Sequence, residues 1–215
     1  MKKPLTQFNL IAAAKAFCLE KHVYRDLFGV TDGKAVGTFI EHEFQKRLEA
    51  LYDVEIGSSA SGIDLPSVDT DIKVTSIRQP QSSCPFKSAR QKTYGLGYNL
   101  LLFVYDKRDN HKKKIAQLQF VNCALIDKSR TADYQTTLGI REILERAGNH
   151  DDIFAFLNDH YLPGDTMTYE TLADEIIKSP PALGYLTTSR SLQRQSEYSR
   201  IVELPKSIPG IAKIV

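Results

Sequence analysis

Cysteine is scarce in this chain of 215 residues. Cys18, Cys84 and Cys123 are too few and too scattered for a disulfide framework or a zinc site. An odd, sparse set fits a reducing, cytoplasmic compartment. No apolar run approaches the ~20 residues that a membrane span needs. Net charge is nearly absent too, at +2, so the total says nothing about partners. There is no internal repeat and no Gly-x-Ser-x-Gly nucleophile elbow. Gly95-Leu96-Gly97 is not a phosphate-cradling loop, because no helix with Lys-Ser/Thr follows it. His22, His42, His111, His150 and His160 lack the spacing of a metal pair, and a lone histidine is more often structural. Ala12, Ala13, Ala14 and Ala16 faintly resemble a secretion signal, but Gln7 and Asn9 interrupt the stretch and Lys15 lies close, so an ordinary first helix is expected. With 42% apolar and 25% charged residues, the composition is that of a globular protein: one domain, or one domain with a small appendage, long enough to bury a core.

The even total hides an alternation. Residues 1–72 carry net −3, 73–114 net +8, 115–178 net −6 and 179–215 net +3. Basic clustering is the electrostatic footprint of a phosphate-backbone partner. Lys112, Lys113 and Lys114 have a blander reading as an exposed turn. That reading does not cover Arg78, Lys87, Arg90 and Lys92, which are interleaved with Gln79, Gln81, Ser82, Ser83 and Gln91. Arg and Gln side chains carry the donors and acceptors that read base edges. Thr187, Thr188, Arg190, Gln193 and Arg194 repeat this chemistry after the Pro180-Pro181 break. Residues 78–92 and 187–194 are therefore expected to flank DNA. The alternative for Arg190 and Arg194 is that they neutralise the acidic 115–178 region. Tyr94 and Tyr98 suit core packing better than base stacking or phosphate contact.

Periodicity predicts a helix over 8–27, with Leu10, Ala13, Ala14 and Phe17 on one side. A stronger amphipathic helix runs over 36–51, where Val36, Phe39, Ile40, Phe44, Leu48 and Leu51 form one stripe. Strands are expected at 54–56, 63–65, 71–77, 100–105 and 115–126, the fourth buried on both faces. Short loops surround them, including a turn-rich stretch at 57–62. Helices are expected at 86–95, 137–147, 151–160 and 168–177, and the tail reads as short strands and loops. This order indicates an α/β fold with a mixed sheet, divided into a core over 1–165 and a C-terminal appendage over 166–215.

One cluster carries chemistry: Gly62-Ile63-Asp64-Leu65-Pro66-Ser67-Val68-Asp69-Thr70-Asp71-Ile72-Lys73. Cleaving a phosphodiester calls for carboxylates to hold Mg²⁺, which prefers oxygen ligands, and for a group that orients water and offsets developing charge. Asp71 and Lys73 stand two apart on a strand and project from one face. Asp64 precedes them across a tight turn. Asp-x-Lys alone would also suit a strand-surface ion pair.

The helix with its carboxylate, the Asp64 turn, the Asp71–Lys73 strand and the apolar strand after it together resemble the PD-(D/E)xK nuclease superfamily, the core shared by many type II restriction endonucleases. The resemblance covers residues 36–126. The short Asp64-to-Asp71 interval is most similar to the compact version in the mismatch-repair nicking endonucleases. Ile63 stands where the motif has proline, a loosely kept position. The resemblance implies a restriction-endonuclease-like core, a mixed β-sheet flanked by helices. It implies Mg²⁺-dependent, sequence-specific cleavage of double-stranded DNA by a homodimer, leaving a 5′-phosphate and a 3′-hydroxyl. Asp64, Asp71 and the Ile72 backbone carbonyl would hold the metal, and Lys73 would position or activate water. A helix glutamate would bind a second metal or hold Lys73. Glu41 is favoured for it over Glu43. DNA contacts are expected from Arg78, Gln79, Gln81, Ser82, Lys87, Arg90, Lys92, Arg190 and Arg194. Two other readings stay open: a structure-specific, mismatch-repair-like nicking endonuclease, and a non-catalytic DNA-binding protein on the same fold.

Overall fold

A computed structural model describes residues 2–57, 62–78, 85–160, 162–187 and 198–215. The chain forms two compact units, neither continuous in sequence. The first takes Met1–Gln81, Tyr98–Ile126 and Leu204–Val215; the second takes Ser82–Gly97 and Asp127–Glu203. Contacts thus divide the chain along different lines from a single boundary after residue 165.

The first unit is built from β1 (Lys3–Pro4), α1 (Gln7–Leu19), β2 (His22–Tyr24), α2 (Gly33–Leu51), β3 (Tyr52–Asp53), β4 (Thr70–Ser76), β5 (Asn99–Asn110), β6 (Ile115–Ile126) and β7 (Ile211–Lys213). β1 and β3 make a small parallel pair. The main sheet runs β2-β6-β5-β4, with β7 also paired to β6. β4 is parallel to β5, and the other pairings are antiparallel. This is the expected α/β fold with a mixed sheet flanked by helices. Residues 100–105 are buried throughout, as a continuous apolar run requires.

The helices follow their stripes. Leu10, Ala13, Ala14 and Phe17 of α1 are buried, as are Val36, Ile40, Phe44 and Leu48 of α2, whereas Leu51 is exposed. Phe17, Phe44, Phe103 and Phe120 meet at centroid distances of 5.0 to 5.9 Å and join both helices to β5 and β6. Offset and edge contacts of this kind suit the aromatic quadrupole. α1 stops at Leu19, not at residue 27. Beyond it His22 is buried, with its Nε2 2.7 Å from the Phe17 carbonyl oxygen and its ring edge-on to Phe120, and Val23 and Tyr24 extend the antiparallel edge of β6. Tertiary strand pairing outweighs helical continuation here. The strand expected at 54–56 is placed earlier, at β3. The one expected at 63–65 is reduced to a single antiparallel bridge between Leu65 and Thr70.

The second unit is helical: α3 (Ala89–Tyr94), α4 (Tyr134–Glu145), α5 (His150–Asp159), α6 (Thr166–Lys178) and α7 (Ser199–Val202). Asp133, Asn149 and Asp165 cap α4, α5 and α6 through side-chain oxygens, each satisfying an amide that the helix leaves unpaired. Ala89, Ile140, Ile143, Ile153, Leu157 and Leu172 lie at its core.

Gly37 sets how closely α2 approaches β4. A Cβ built at Gly37 would stand 3.0 Å from the Val74 carbonyl oxygen, tighter than packed atoms tolerate without a shift. Gly37 precedes Glu41 by one helical turn, so the close approach also fixes Glu41 over the edge of β4. Gly37→Val should push α2 outward, lower stability by ~1–3 kcal/mol in urea unfolding and reduce cleavage of DNA. Unchanged stability and cleavage would show that the close approach has no structural role.

Candidate active site

The turn before β4 does the positioning. Leu65 N donates to Thr70 O at 2.9 Å and Thr70 N donates to Leu65 O at 3.2 Å, closing a compact loop around a 3-10 turn at Pro66–Val68. Asp69 takes a left-handed conformation at its end, φ 49°. Asn99 N donates to Asp69 O at 2.8 Å, tying the loop to the start of β5. The closed loop brings Asp64 back onto the strand that follows: the Ile72 amide donates to Asp64 Oδ2 at 2.8 Å.

That bond defines the chemistry of the edge. Among the described residues β4 is the last strand of its sheet and pairs only with β5. In a parallel ladder a residue's amide and carbonyl face the same side. With its amide turned to Asp64, Ile72 therefore also turns its carbonyl outward, beside the Asp64 carboxylate. Asp71 and Lys73 alternate with Ile72 and share one face of the sheet.

These groups also act on one another electrostatically. Asp71 is pushed from an ordinary 3.8 up to about 8, first by burial, then by the charge of Asp64 and a hydrogen bond to its carboxyl; Lys73 acts in the opposite direction. Glu41 is pushed up to about 7 by burial and then by Asp64, with Lys73 again opposing. The structure therefore brings together Glu41, Asp64, Asp71 and Lys73. Glu43 pairs instead with Lys46 at 2.8 Å.

The donor set suits a hard dication. Asp64, Asp71 and the outward Ile72 carbonyl all offer oxygen atoms. Among the described residues no three His, Cys, Asp or Glu side chains form a ready-made metal cage. Mg²⁺ is commonly held by one or two carboxylates with waters and substrate phosphate completing its shell, so two carboxylates and a carbonyl fit it.

The proposed DNA-contact residues are scattered. Arg78 donates through Nε and Nη2 to both carboxylate oxygens of Asp106, the latter at 3.0 Å, and Arg108 Nε reaches the same carboxylate at 3.2 Å. Arg90 pairs with Glu175 and lies 5.2 Å from the Tyr94 ring centroid. Lys87 is exposed and Lys92 half-buried. Gln79, Gln81, Ser82, Thr188, Arg190, Gln193 and Arg194 lie outside the described residues, as do Ser83, Cys84 and most of the 57–62 turn. Tyr94 donates to the Ser179 carbonyl at 2.9 Å, a structural role. No described helix is long and apolar enough to cross a membrane. Sequence reasoning missed Gly37, although a glycine inside a strong amphipathic stripe signals a close approach. It also missed Asn99, whose tie to Asp69 no local pattern announces.

An α/β unit whose edge strand bears a carboxylate and a lysine, with a second carboxylate hydrogen-bonded to that strand from the preceding loop, is the core expected of a restriction-endonuclease-like nuclease. A family profile described as type II restriction enzyme NspV matches residues 4–213. The chain is also 52% identical over 188 residues to the type II restriction enzyme NspV of Nostoc sp. (strain ATCC 29411 / PCC 7524), covering 87% of this chain and 86% of that protein. No solved structure matches it. The chain belongs to this family of type II restriction enzymes.

The raised Asp71 carboxyl sets a pH dependence. Its folded pKa of about 8 exceeds its unfolded value. Its contribution to the stability of the metal-free protein is therefore full below ~4 and lost as pH rises through about 8. A dication held at Asp64 and Asp71 would have to displace that proton. Titration with Mg²⁺ at pH 7 should release about one proton per site, and Mg²⁺ affinity should rise up to about pH 8. Asp71→Asn should abolish the release in calorimetry across buffers of different ionisation enthalpy; an undiminished release would place the proton elsewhere.

Proposed function

We propose that this type II restriction endonuclease hydrolyses double-stranded DNA at a specific sequence through Asp64, Asp71, Lys73 and Glu41, with Mg²⁺ as its cofactor. The observation that carries the reading is the meeting of Asp64 and Asp71 at the β4 edge, where the Ile72 amide holds Asp64 and Lys73 shares the face of Asp71. When bound, the dication supplies Lewis-acid stabilisation of the phosphate and lowers the pKa of water. Asp64, Asp71 and the Ile72 carbonyl are the residues that would hold it.

Lys73 orients the attacking water by hydrogen bonding and places a positive charge against the phosphate as negative charge grows on it. The water oxygen attacks phosphorus, and the bond from phosphorus to the 3′-oxygen breaks. The attacking water gives up a proton to solvent and the departing 3′-oxygen takes one up from solvent, so the strand ends carry a 5′-phosphate and a 3′-hydroxyl. Glu41 faces Lys73 from α2 and either keeps the ammonium aligned or takes part in holding a second dication.

In this reading Lys87 and Lys92 meet phosphates. In this reading Arg78 is released from Asp106, or remains paired and presents only its outer edge to DNA. A twofold dimer would match a palindromic site, since symmetry of the site mirrors symmetry of the protein. The nuclease site falls within the first unit, while residues 187–194 of the C-terminal segment supply recognition. The restriction-enzyme family favours sequence-specific cleavage over nicking and over non-catalytic binding.

Incubation with a mixed-sequence plasmid and Mg²⁺ should give discrete fragments. Nicked circles would favour the structure-specific reading, and a gel shift without cutting the non-catalytic one. Asp71→Ala or Lys73→Ala should each reduce the single-turnover rate by ~10²–10⁴ and retain the native circular dichroism. Full activity in Lys73→Ala would overturn its assignment. Ca²⁺ should support binding without cleavage, because its looser shell places water poorly.

The helix carboxylate is tested separately. Glu41→Gln should slow cleavage about tenfold more than Glu43→Gln, since Asp64 and Lys73 act on Glu41, whereas Glu43 pairs with Lys46. The reverse order in parallel rate measurements would move the role to Glu43.

A further inference from the structure

The catalytic face of β4 is rich in acceptors and poor in donors. Asp64, Asp71 and the Ile72 carbonyl offer oxygens, and Lys73 is the donor on that face. A phosphodiester brings two non-bridging oxygens, which are acceptors themselves. A second donor next to the carboxylates would complete the cradle.

Tyr98 occupies that place. The parallel register puts Asp71 beside Leu100 and Lys73 beside Leu102, and paired residues of a parallel ladder share a face. Tyr98 lies just outside β5, one residue before Asn99, which is the register partner of Thr70 and whose amide fastens the loop at Asp69. The ring is half-buried, close enough to Asp71 and Asp64 for both to act on its hydroxyl. Burial first, then those two charges, disfavour the phenolate, leaving the hydroxyl as a neutral donor. Among the described residues that hydroxyl has no hydrogen-bond partner. Tyr94, by contrast, spends its hydroxyl on the Ser179 carbonyl.

We propose that the Tyr98 hydroxyl donates a hydrogen bond to a non-bridging oxygen of the scissile phosphate, the oxygen turned away from Lys73. The assignment rests on the nuclease reading above and adds a substrate contact to it. No proton is transferred by Tyr98: it orients the phosphate and takes up part of the charge that grows on that oxygen as water attacks.

The test begins by mapping the wild-type cleavage site from plasmid digestion with Mg²⁺. Duplexes of that site are then made with a natural scissile phosphate or with each methylphosphonate diastereomer at the same link. Without metal, Tyr98→Phe should bind the natural duplex ~3–10-fold more weakly in fluorescence anisotropy. It should bind no more weakly than wild type to the diastereomer that lacks the contacted oxygen. With Mg²⁺, kcat on natural DNA should fall ~10–100-fold, and Tyr94→Phe should cleave like wild type. An equal affinity loss on all three duplexes would assign Tyr98 a purely structural role and overturn the proposal, as would wild-type binding and cleavage by Tyr98→Phe. A wild-type protein that leaves every plasmid uncut would instead overturn the nuclease reading, and this contact with it. Wild-type cutting alongside an unaffected Tyr98→Phe would overturn the contact alone.

Discussion

The hydrogen bond from the Ile72 amide to the Asp64 carboxylate holds the candidate site together. An edge strand presents a row of unpaired amides and carbonyls, ordinarily a hazard for association. Here one of those amides fixes a carboxylate in place, and the carbonyl of the same residue is left facing outward. Everything upstream serves this contact. The Leu65–Thr70 bridge closes the loop, Asn99 anchors it to β5, and Gly37 lets α2 settle over the same edge with Glu41. Breaking the Asp64 contact would unfasten the loop and disperse the charges at the same time.

The site is also electrostatically uncomfortable as it stands. Two carboxyls in contact, with a third nearby and one lysine among them, cannot all ionise cheaply at partial burial. The proton retained by Asp71 relieves that repulsion. Such like-charge clusters are common where a site is shaped for a cation and a reacting phosphate, since both restore the balance that folding leaves unmet.

Much of this was legible in the sequence because it is local. The α2 stripe, the strand alternation around Asp71 and Lys73, and the continuously apolar β5 each follow from short-range periodicity. Asp64, Asp71 and Lys73 stood out by their spacing, whereas Glu41 was favoured over Glu43 through the resemblance to a known family. What could not be read depends on distant partners. β2 exists because β6 offers it an edge, and residues 63–65 lose their strand because the loop turns back too sharply. Arg78 and Arg90 looked like free cations by composition, yet Asp106 and Glu175, 28 and 85 residues away, hold them. No local pattern announces an ion pair across that distance.

The interrupted path of the first unit governs the order in which it can assemble. Its sheet draws strands from before residue 82 and after residue 97, and β7 joins β6 only once residues 127–203 have intervened. Chains leave the ribosome from the N-terminus at ~5–20 residues per second, and pairings between distant segments are slow to form. The strand beside β6 therefore remains open through the synthesis of the helical unit. A cell making this protein carries, for several seconds per chain, a nascent sheet whose last seat is empty.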